Sequence, residues 1–400
     1  MPIVYCILPI DYAMTNDLLY QLALTQVPQI GCVHAKLLIQ QFHTAEAIFK
    51  AKATELEKTE GIGSVRARCI KTFNGFAPLE KEIAFIEKYK IKPLFINQPA
   101  YPQRLLHCYD SPTMLFYRGN ANLNAARMVA VIGTRNNSAY GKHLTQQLVQ
   151  ELAAYDALVV SGLAFGIDAI AHKTALNHNL QTVGVLAHGL DSLYPSEHTS
   201  LAKDMIKQGG GLLTEYYSDI TAEKHHFPIR NRIISGMSAG LLVVEGAQYS
   251  GSAITARLAI DQGREVFAIP GNITSKQSWG PNLLIKQGAK LVQDWNDVIA
   301  DLPPEVRRKL IDDGKKRLMA QGVTEAGATS ETVQASLLTG QSNISRRLLE
   351  TLKPDASIHL DDLVETLGDF SPSELIAALF ELELTGLVKQ LPGKNFVKVW

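Results

Sequence analysis

From position 128 onward, short uninterrupted apolar runs alternate with longer stretches whose apolar residues recur every three or four positions. The runs 128–132, 157–161, 182–186, 211–215, 240–245 and 265–269 read as strands. Continuous apolar strands separated by helices belong to a parallel sheet covered on both faces. The pattern therefore predicts an α/β fold, a doubly wound sheet over residues 128–300. Its ligand site is expected beyond the carboxyl ends of the strands.

Ahead of that region, residues 1–75 read as short helices. Val27-Pro-Gln-Ile-Gly-Cys-Val-His-Ala-Lys36 and Thr59-Glu-Gly-Ile-Gly-Ser-Val-Arg-Ala-Arg68 share an isoleucine-glycine turn before a small amphipathic helix. Glycine permits the tight turn of a helix-hairpin-helix (or SAM-like) domain, and a plain helical bundle with glycine caps fits equally. Residues 76–127, with proline-punctuated strands, are read as a connecting segment, and the polar stretch 301–343 as a linker. Residues 344–400 give three short helices and a hairpin, the outline of a winged helix. Ser371-Pro-Ser-Glu374 supplies the capping signal for its third helix.

The chain carries 39 Lys+Arg and 39 Asp+Glu, so any contact with nucleic acid must come from a local patch. The winged-helix segment has six basic against nine acidic residues, including Glu374, Glu381 and Glu383 on its candidate recognition helix. Phosphates would be repelled there, so protein contact or regulation is expected instead. Four cysteines without a CxxC pair fit neither a zinc site nor a disulfide framework. There is no basic, apolar leader and no run near the ~20 apolar residues that cross a bilayer. A cytoplasmic protein without membrane association, metal or cofactor is expected.

Phe227-Pro-Ile-Arg-Asn-Arg232 places two fixed cations and the Asn231 amide just before an apolar strand. Guanidinium forks suit phosphate oxygens. The turn after the first apolar strand, Gly133-Thr-Arg-Asn-Asn-Ser-Ala-Tyr-Gly141-Lys142, has the wrong spacing for a P-loop and lacks the GxGxxG of a dinucleotide fold. What remains is an anion site made by Gly133, Thr134 and Arg135, or else a structural turn with a solvated arginine. The next turn, Ser161-Gly-Leu-Ala-Phe-Gly-Ile-Asp168-Ala-Ile-Ala-His172-Lys173, adds Ser161, Gly162 and Lys173 as candidates. Asp168 and His172 stand at i and i+4, as an acid/base pair or as a loop-orienting contact. Ser250-Gly-Ser252 and Gly280-Pro-Asn282 could add donors at the same sheet edge, or simply cap helices. Gly236-Met-Ser238-Ala-Gly240 matches a nucleophile elbow, but with the strand after the serine instead of before it. Several anion-binding turns along one rim form a groove for a phosphate chain, with Phe165, Tyr194 and Phe227 available to stack unpaired bases.

Together with Tyr101-Pro102, Gly189-Leu-Asp191, Tyr194-Pro195, Thr214-Glu215 and Pro270-Gly271, these segments resemble the bacterial DNA-processing protein A family, DprA/Smf, over about residues 100–292. The resemblance implies that the doubly wound sheet is an extended Rossmann-like domain, and that the protein is a non-enzymatic, dimeric single-stranded-DNA-binding one. Such a protein protects incoming DNA and loads RecA recombinase during natural transformation, against the block set by single-strand-binding protein. It carries Arg135, Arg230 and Arg232 over as DNA contacts, with Gly133, Thr134, Ser161 and Gly162 as backbone or hydroxyl contacts. It also implies a basic residue where this chain has Phe165. The competing reading, a nucleotide-handling hydrolase on a Rossmann-like fold, has only Glu215 and Glu245 at strand ends to work with.

Overall fold

The computed structural model describes residues 12–248, 250–302, 343–352, 358–384, 388–391 and 395–398. The chain forms two compact units, divided between Gly314 and Lys315.

In the first unit nine strands form one sheet: β1 (Lys92–Phe95), β2 (Met114–Gly119), β3 (Met128–Ile132), β4 (Leu158–Ser161), β5 (Thr182–Val185), β6 (Gly211–Thr214), β7 (Gly240–Val243), β8 (Glu265–Ala268) and β9 (Lys290–Leu291). Their order is β1-β2-β6-β5-β4-β3-β7-β8-β9. Strands β3 to β9 are mutually parallel, and β3 pairs with β4 on one side and β7 on the other. The winding thus reverses at β3, which opens a crevice at the carboxyl ends of β3 and β7. Alternate residues of β3 serve opposite faces. Met128, Ala130 and Ile132 join one apolar cluster, Val129 and Val131 the other. The six strands read from the apolar runs are present, each within a residue or two of its expected limits.

The stretch 76–127, expected to connect, contributes structure to the sheet itself. β2 pairs antiparallel with β6, and β1 with β2, so the parallel sheet carries an antiparallel extension on one edge. β1 has only four residues, among them Pro93 and the exposed Lys92, and the buried run 114–117 of β2 gives no sign of which strand it joins, which hid their membership.

Helices Tyr12–Gln26, Cys32–Phe42, Ala45–Lys50, Ala53–Leu56, Gly63–Lys71 and Ala77–Lys88 precede the sheet. Gly61 and Gly63 take φ of 79° and 56°, the left-handed values that favour glycine. Arg66 then donates to the Gly61 carbonyl at 2.8 Å and the Gln29 carbonyl at 3.3 Å, tying the two glycine turns together. These helices do not stand apart. Leu22, Ile48 and Ile86 belong to the same apolar cluster as Phe116 and Leu241 of the sheet. Polar contacts pin the join: Lys36 donates to the Leu106 carbonyl at 2.6 Å, and the Thr25 and Tyr217 hydroxyls meet at 2.7 Å. Glu82, its carboxyl pushed up by burial and pulled back by Ser218, accepts the Ser218 hydroxyl at 2.6 Å.

In the second unit, helices Asn343–Thr351, Leu360–Thr366 and Pro372–Leu384 accompany a small sheet of β10 (Ile358–His359), β11 (Val388–Leu391) and β12 (Asn395–Lys398), in the order β10-β12-β11. Leu348, Leu363, Leu375, Leu379 and Phe396 make its core. As the capping signal predicts, Glu374 N–H donates to the Ser371 hydroxyl at 3.4 Å and Ser371 N–H to the Glu374 carboxylate at 2.9 Å. The Ser371 hydroxyl also donates to that carboxylate at 2.7 Å, and the bonds it accepts from Ser371 hold it below its usual range. The turn of the expected hairpin, and most of the expected linker 301–343, lie outside the described residues.

Among the described residues no helix is long and apolar enough to cross a membrane, and no group of three or more His, Cys, Asp or Glu could hold a metal ion.

Candidate functional site

A cleft of about 310 Å³ opens where the sheet reverses its winding. Gly133, Thr134 and Arg135 line it from the turn after β3, and Ala164 and Asp168 from the turn after β4. The helix His226–Met237 contributes Phe227, Arg230 and Asn231, and the start of Gly251–Asp261 adds Ser250 and Ser252.

Arg230 is its buried cation, 4% exposed. Its guanidinium donates to the carbonyls of Gly162, at 2.8 Å, and Val185, and its Nε donates to Asn231 Oδ1 at 3.2 Å. Burial, opposed by the Asp168 carboxylate, pulls Arg230 down to about 10, so it stays charged at neutral pH. Asp168 is pushed up by burial, against the pull of Arg230 and of the Ala164 and Gly162 N–H groups. The Gly162 N–H reaches Asp168 Oδ2 at 3.1 Å. Gly162 is required for this closeness: a Cβ there would stand 2.7 Å from the Arg230 guanidinium and 2.8 Å from Asp168.

Arg135 is exposed, and among the described residues it has no ion pair. Its guanidinium lies 5.1 Å from the centroid of the Phe227 ring, and that of Arg230 lies 5.9 Å from the same centroid. Two cations therefore share one aromatic ring, one anchored in the protein and one open to solvent. The turn that carries Arg135 is fixed by its neighbours. Thr134 N–H donates to the Glu245 carbonyl at 2.8 Å, and Ile167 N–H to the Thr134 carbonyl at 3.2 Å. Gly166, at φ 75°, allows the second turn to press against the first, since a Cβ would lie 2.3 Å from the Thr134 carbonyl oxygen.

The structure separates some residues that the sequence grouped. Arg232 points away from the cleft: it donates to the Glu215 carboxylate and, at 2.6 Å, to the Asp110 carbonyl, and it lines a different cavity with Cys32 and Thr113. The cause is helical geometry. Phe227-Pro-Ile-Arg-Asn-Arg232 lies within a helix, where residues two apart project to roughly opposite sides. The periodicity rule, applied to this segment as a helix, would have separated the two arginines in advance.

Ser161 is fully buried and donates to the Val131 carbonyl at 2.6 Å, so its hydroxyl stitches β4 to β3 and does not face the cleft. Lys173 is exposed but stands outside the cleft lining. Asp168 and His172 do not pair. His172 Nδ1 donates to the Thr182 hydroxyl at 2.6 Å, since that hydroxyl is itself the donor to the Val159 carbonyl. Burial drives His172 down to about 3, so it is neutral and structural. Ser238 donates to the Ile234 carbonyl at the end of a helix, in no nucleophile geometry. Asn282 braces the turn at Gly271, accepting from its N–H at 3.1 Å and donating to its carbonyl at 2.9 Å. Glu245 accepts from the Ser138 N–H at 2.9 Å and from its hydroxyl. Both strand-end carboxylates are thus committed to internal partners.

A doubly wound sheet with a cationic, aromatic cleft at its reversal point, preceded by short helices, places the chain in the Rossmann-like class. The family model described as DNA recombination-mediator protein A matches residues 92–303, the DprA winged helix domain residues 328–394, and a helix-hairpin-helix motif residues 18–77. Protein Smf of Escherichia coli is 35% identical over 79% of this chain and 79% of its own. The DNA processing protein DprA of Bacillus subtilis is 40% identical over 57% of this chain and 77% of its own. The crystal structure of DprA from Streptococcus pneumoniae superposes with a TM-score of 0.62 at 32% identity, covering 71% of this chain and 98% of that one. The chain belongs to the DprA/Smf family.

Proposed function

We propose that this chain is a recombination mediator that binds single-stranded DNA at the cleft and acts without turnover. The observation that carries this reading is the pair of guanidinium groups, Arg135 and Arg230, on one Phe227 ring at the carboxyl rim of the sheet. Solvent-open Arg135 meets a backbone phosphate, while Arg230 and Asn231 hold the floor against which an unpaired base rests. Gly133 and Thr134 bring backbone close to the DNA strand, and Gly162 lets Arg230 and Asp168 pack beneath the cleft. Arg232 and Ser161 support the cleft from inside the protein. The family's description, DNA recombination-mediator protein A, agrees with this role.

In the fuller form of the proposal the protein works in the cytoplasm as a homodimer, shields incoming DNA during transformation, and loads RecA past single-strand-binding protein. Its proposed domains are a hairpin-helix region over 1–75, the segment 76–127, the DNA-binding sheet over 128–300, a linker over 301–343 and a winged helix over 344–400.

Fluorescence anisotropy with single-stranded and duplex oligonucleotides across a salt series tests the binding. Preference for the single strand, a steep salt slope and loss of affinity in Arg135→Ala are expected. Equal affinity for duplex, or binding indifferent to Arg135, overturns it. RecA loading is read separately, as faster RecA ATP hydrolysis on DNA coated with single-strand-binding protein.

A further inference from the structure

We infer that the cleft continues into a second stacking surface made by Phe165 and Tyr194, so that the bound strand runs from Phe227 toward the loops after β4 and β5. This rests on the single-stranded DNA reading above and adds a direction and two contact residues to it.

Both rings are open to solvent, Phe165 at 41% and Tyr194 at 50%. Neither is isolated. Tyr194 meets Phe227 edge-to-face, with centroids 5.9 Å apart, and Phe227 is the ring that carries both cleft arginines. Phe165 meets the His198 ring at 5.0 Å, and His198 Nδ1 bonds the Leu163 carbonyl at 2.8 Å. His198 thus joins the loop that bears Phe165 to the one that bears Tyr194.

The backbone holds Phe165 outward under constraint. Leu163 takes φ of 54°, rare for a residue with a side chain, and is fully buried, while Gly166 takes φ of 75°. Between these two positions the chain buries Leu163, aligns Ala164 with the cleft and turns Phe165 to solvent. Unusual φ/ψ values persist where the surrounding structure over-determines them, and such sites cluster around ligands. A base has an apolar face whatever its identity, so exposed rings beside a phosphate-binding cleft suit unpaired bases without sequence preference. A phenylalanine makes this segment of the rim a stacking contact and not a charge contact.

The test compares an oligothymidylate with an abasic oligonucleotide of equal length, measured by anisotropy on the full chain and on Phe165→Ala, Tyr194→Ala and the double variant. Each alanine is expected to weaken thymidylate binding roughly 5- to 100-fold, to leave abasic binding unchanged, and to leave the salt slope unchanged because no cation is lost. Phe165→Trp should keep or raise affinity. Thermal unfolding of each variant identifies any misfolded one, and Phe165→Trp keeps the question open to measurement in that case. Wild-type thymidylate affinity in the folded double variant overturns this inference while leaving the cleft proposal standing. Absence of single-strand binding by the wild-type chain overturns both.

Discussion

Arg232 donates to the Glu215 carboxylate in a pair whose side chains are only 11% and 14% exposed, while Arg230, two residues earlier, turns into the cleft. One helix thus sends one arginine into the interior for cohesion and another toward a ligand. The Glu215 carboxyl is pushed up by burial, and Arg232 is the force that opposes this.

Arg232→Ala should therefore act through stability. Removing one member of a buried pair strands the other charge and costs about 3–5 kcal/mol. Urea unfolding is expected to register the loss, and Arg232→Met combined with Glu215→Leu should recover much of it. A variant that stays as stable as wild type yet loses DNA affinity would return Arg232 to the contact surface.

Arg135→Ala should behave in the opposite way. The side chain is exposed and has no ion pair among the described residues, only its contact with the Phe227 ring, so unfolding should shift by no more than about 1 kcal/mol. Affinity for a single strand should fall, and the slope of log K against log salt should flatten by about 0.7, the share of one phosphate on single-stranded DNA.

Gly162→Ala places a methyl group within 3 Å of both Arg230 and Asp168. Both are internally bonded, so neither can yield freely, and overpacking of about 1–3 kcal/mol is expected. Displacement of Arg230 should also reduce DNA affinity, and the two effects should appear together in one variant. Unchanged unfolding would mean that the cleft floor is more plastic than its bonds imply.

His172 gives the protein a defined acid sensitivity. Its folded value of about 3 lies below the free imidazole value of 6.5, so the unfolded chain binds the extra proton first. The His172 contribution to stability is complete above about pH 6.5 and drains away as pH falls toward 3. The nearby charges of His198 and Arg230 act in the same direction as burial. His172→Gln, which cannot titrate, should show a shallower loss of stability across that interval. Parallel curves for the two proteins would assign the acid response to carboxylates instead.

The six parallel strands β3 to β8 were legible because nearly every residue in them is buried and apolar, whereas the two-residue β9 is exposed and carries no such run. Both cleft turns were legible because glycine and hydroxyl residues follow those strands directly. β1 and β2 were less so: they extend an edge and carry mixed residues, and no local pattern reports a partner such as β6, about a hundred positions away. The fate of Arg232 was readable only from a helical reading of its segment combined with the distant carboxylate at Glu215. The pairing of His172 with Thr182, in place of Asp168, depended on which of two neighbours the fold brings nearer. Spacing along one helix cannot decide that.

Leu22, Ile48 and Ile86 share their apolar surroundings with Phe116 and Leu241. A shortened protein that begins at residue 92, where the recombination-mediator match starts, would leave one side of that interior bare to water. Such a fragment should clump or bind detergent unless its uncovered side chains are redesigned as polar ones. Any truncation study of this chain therefore needs a resurfaced control before a lost activity is credited to the missing helices.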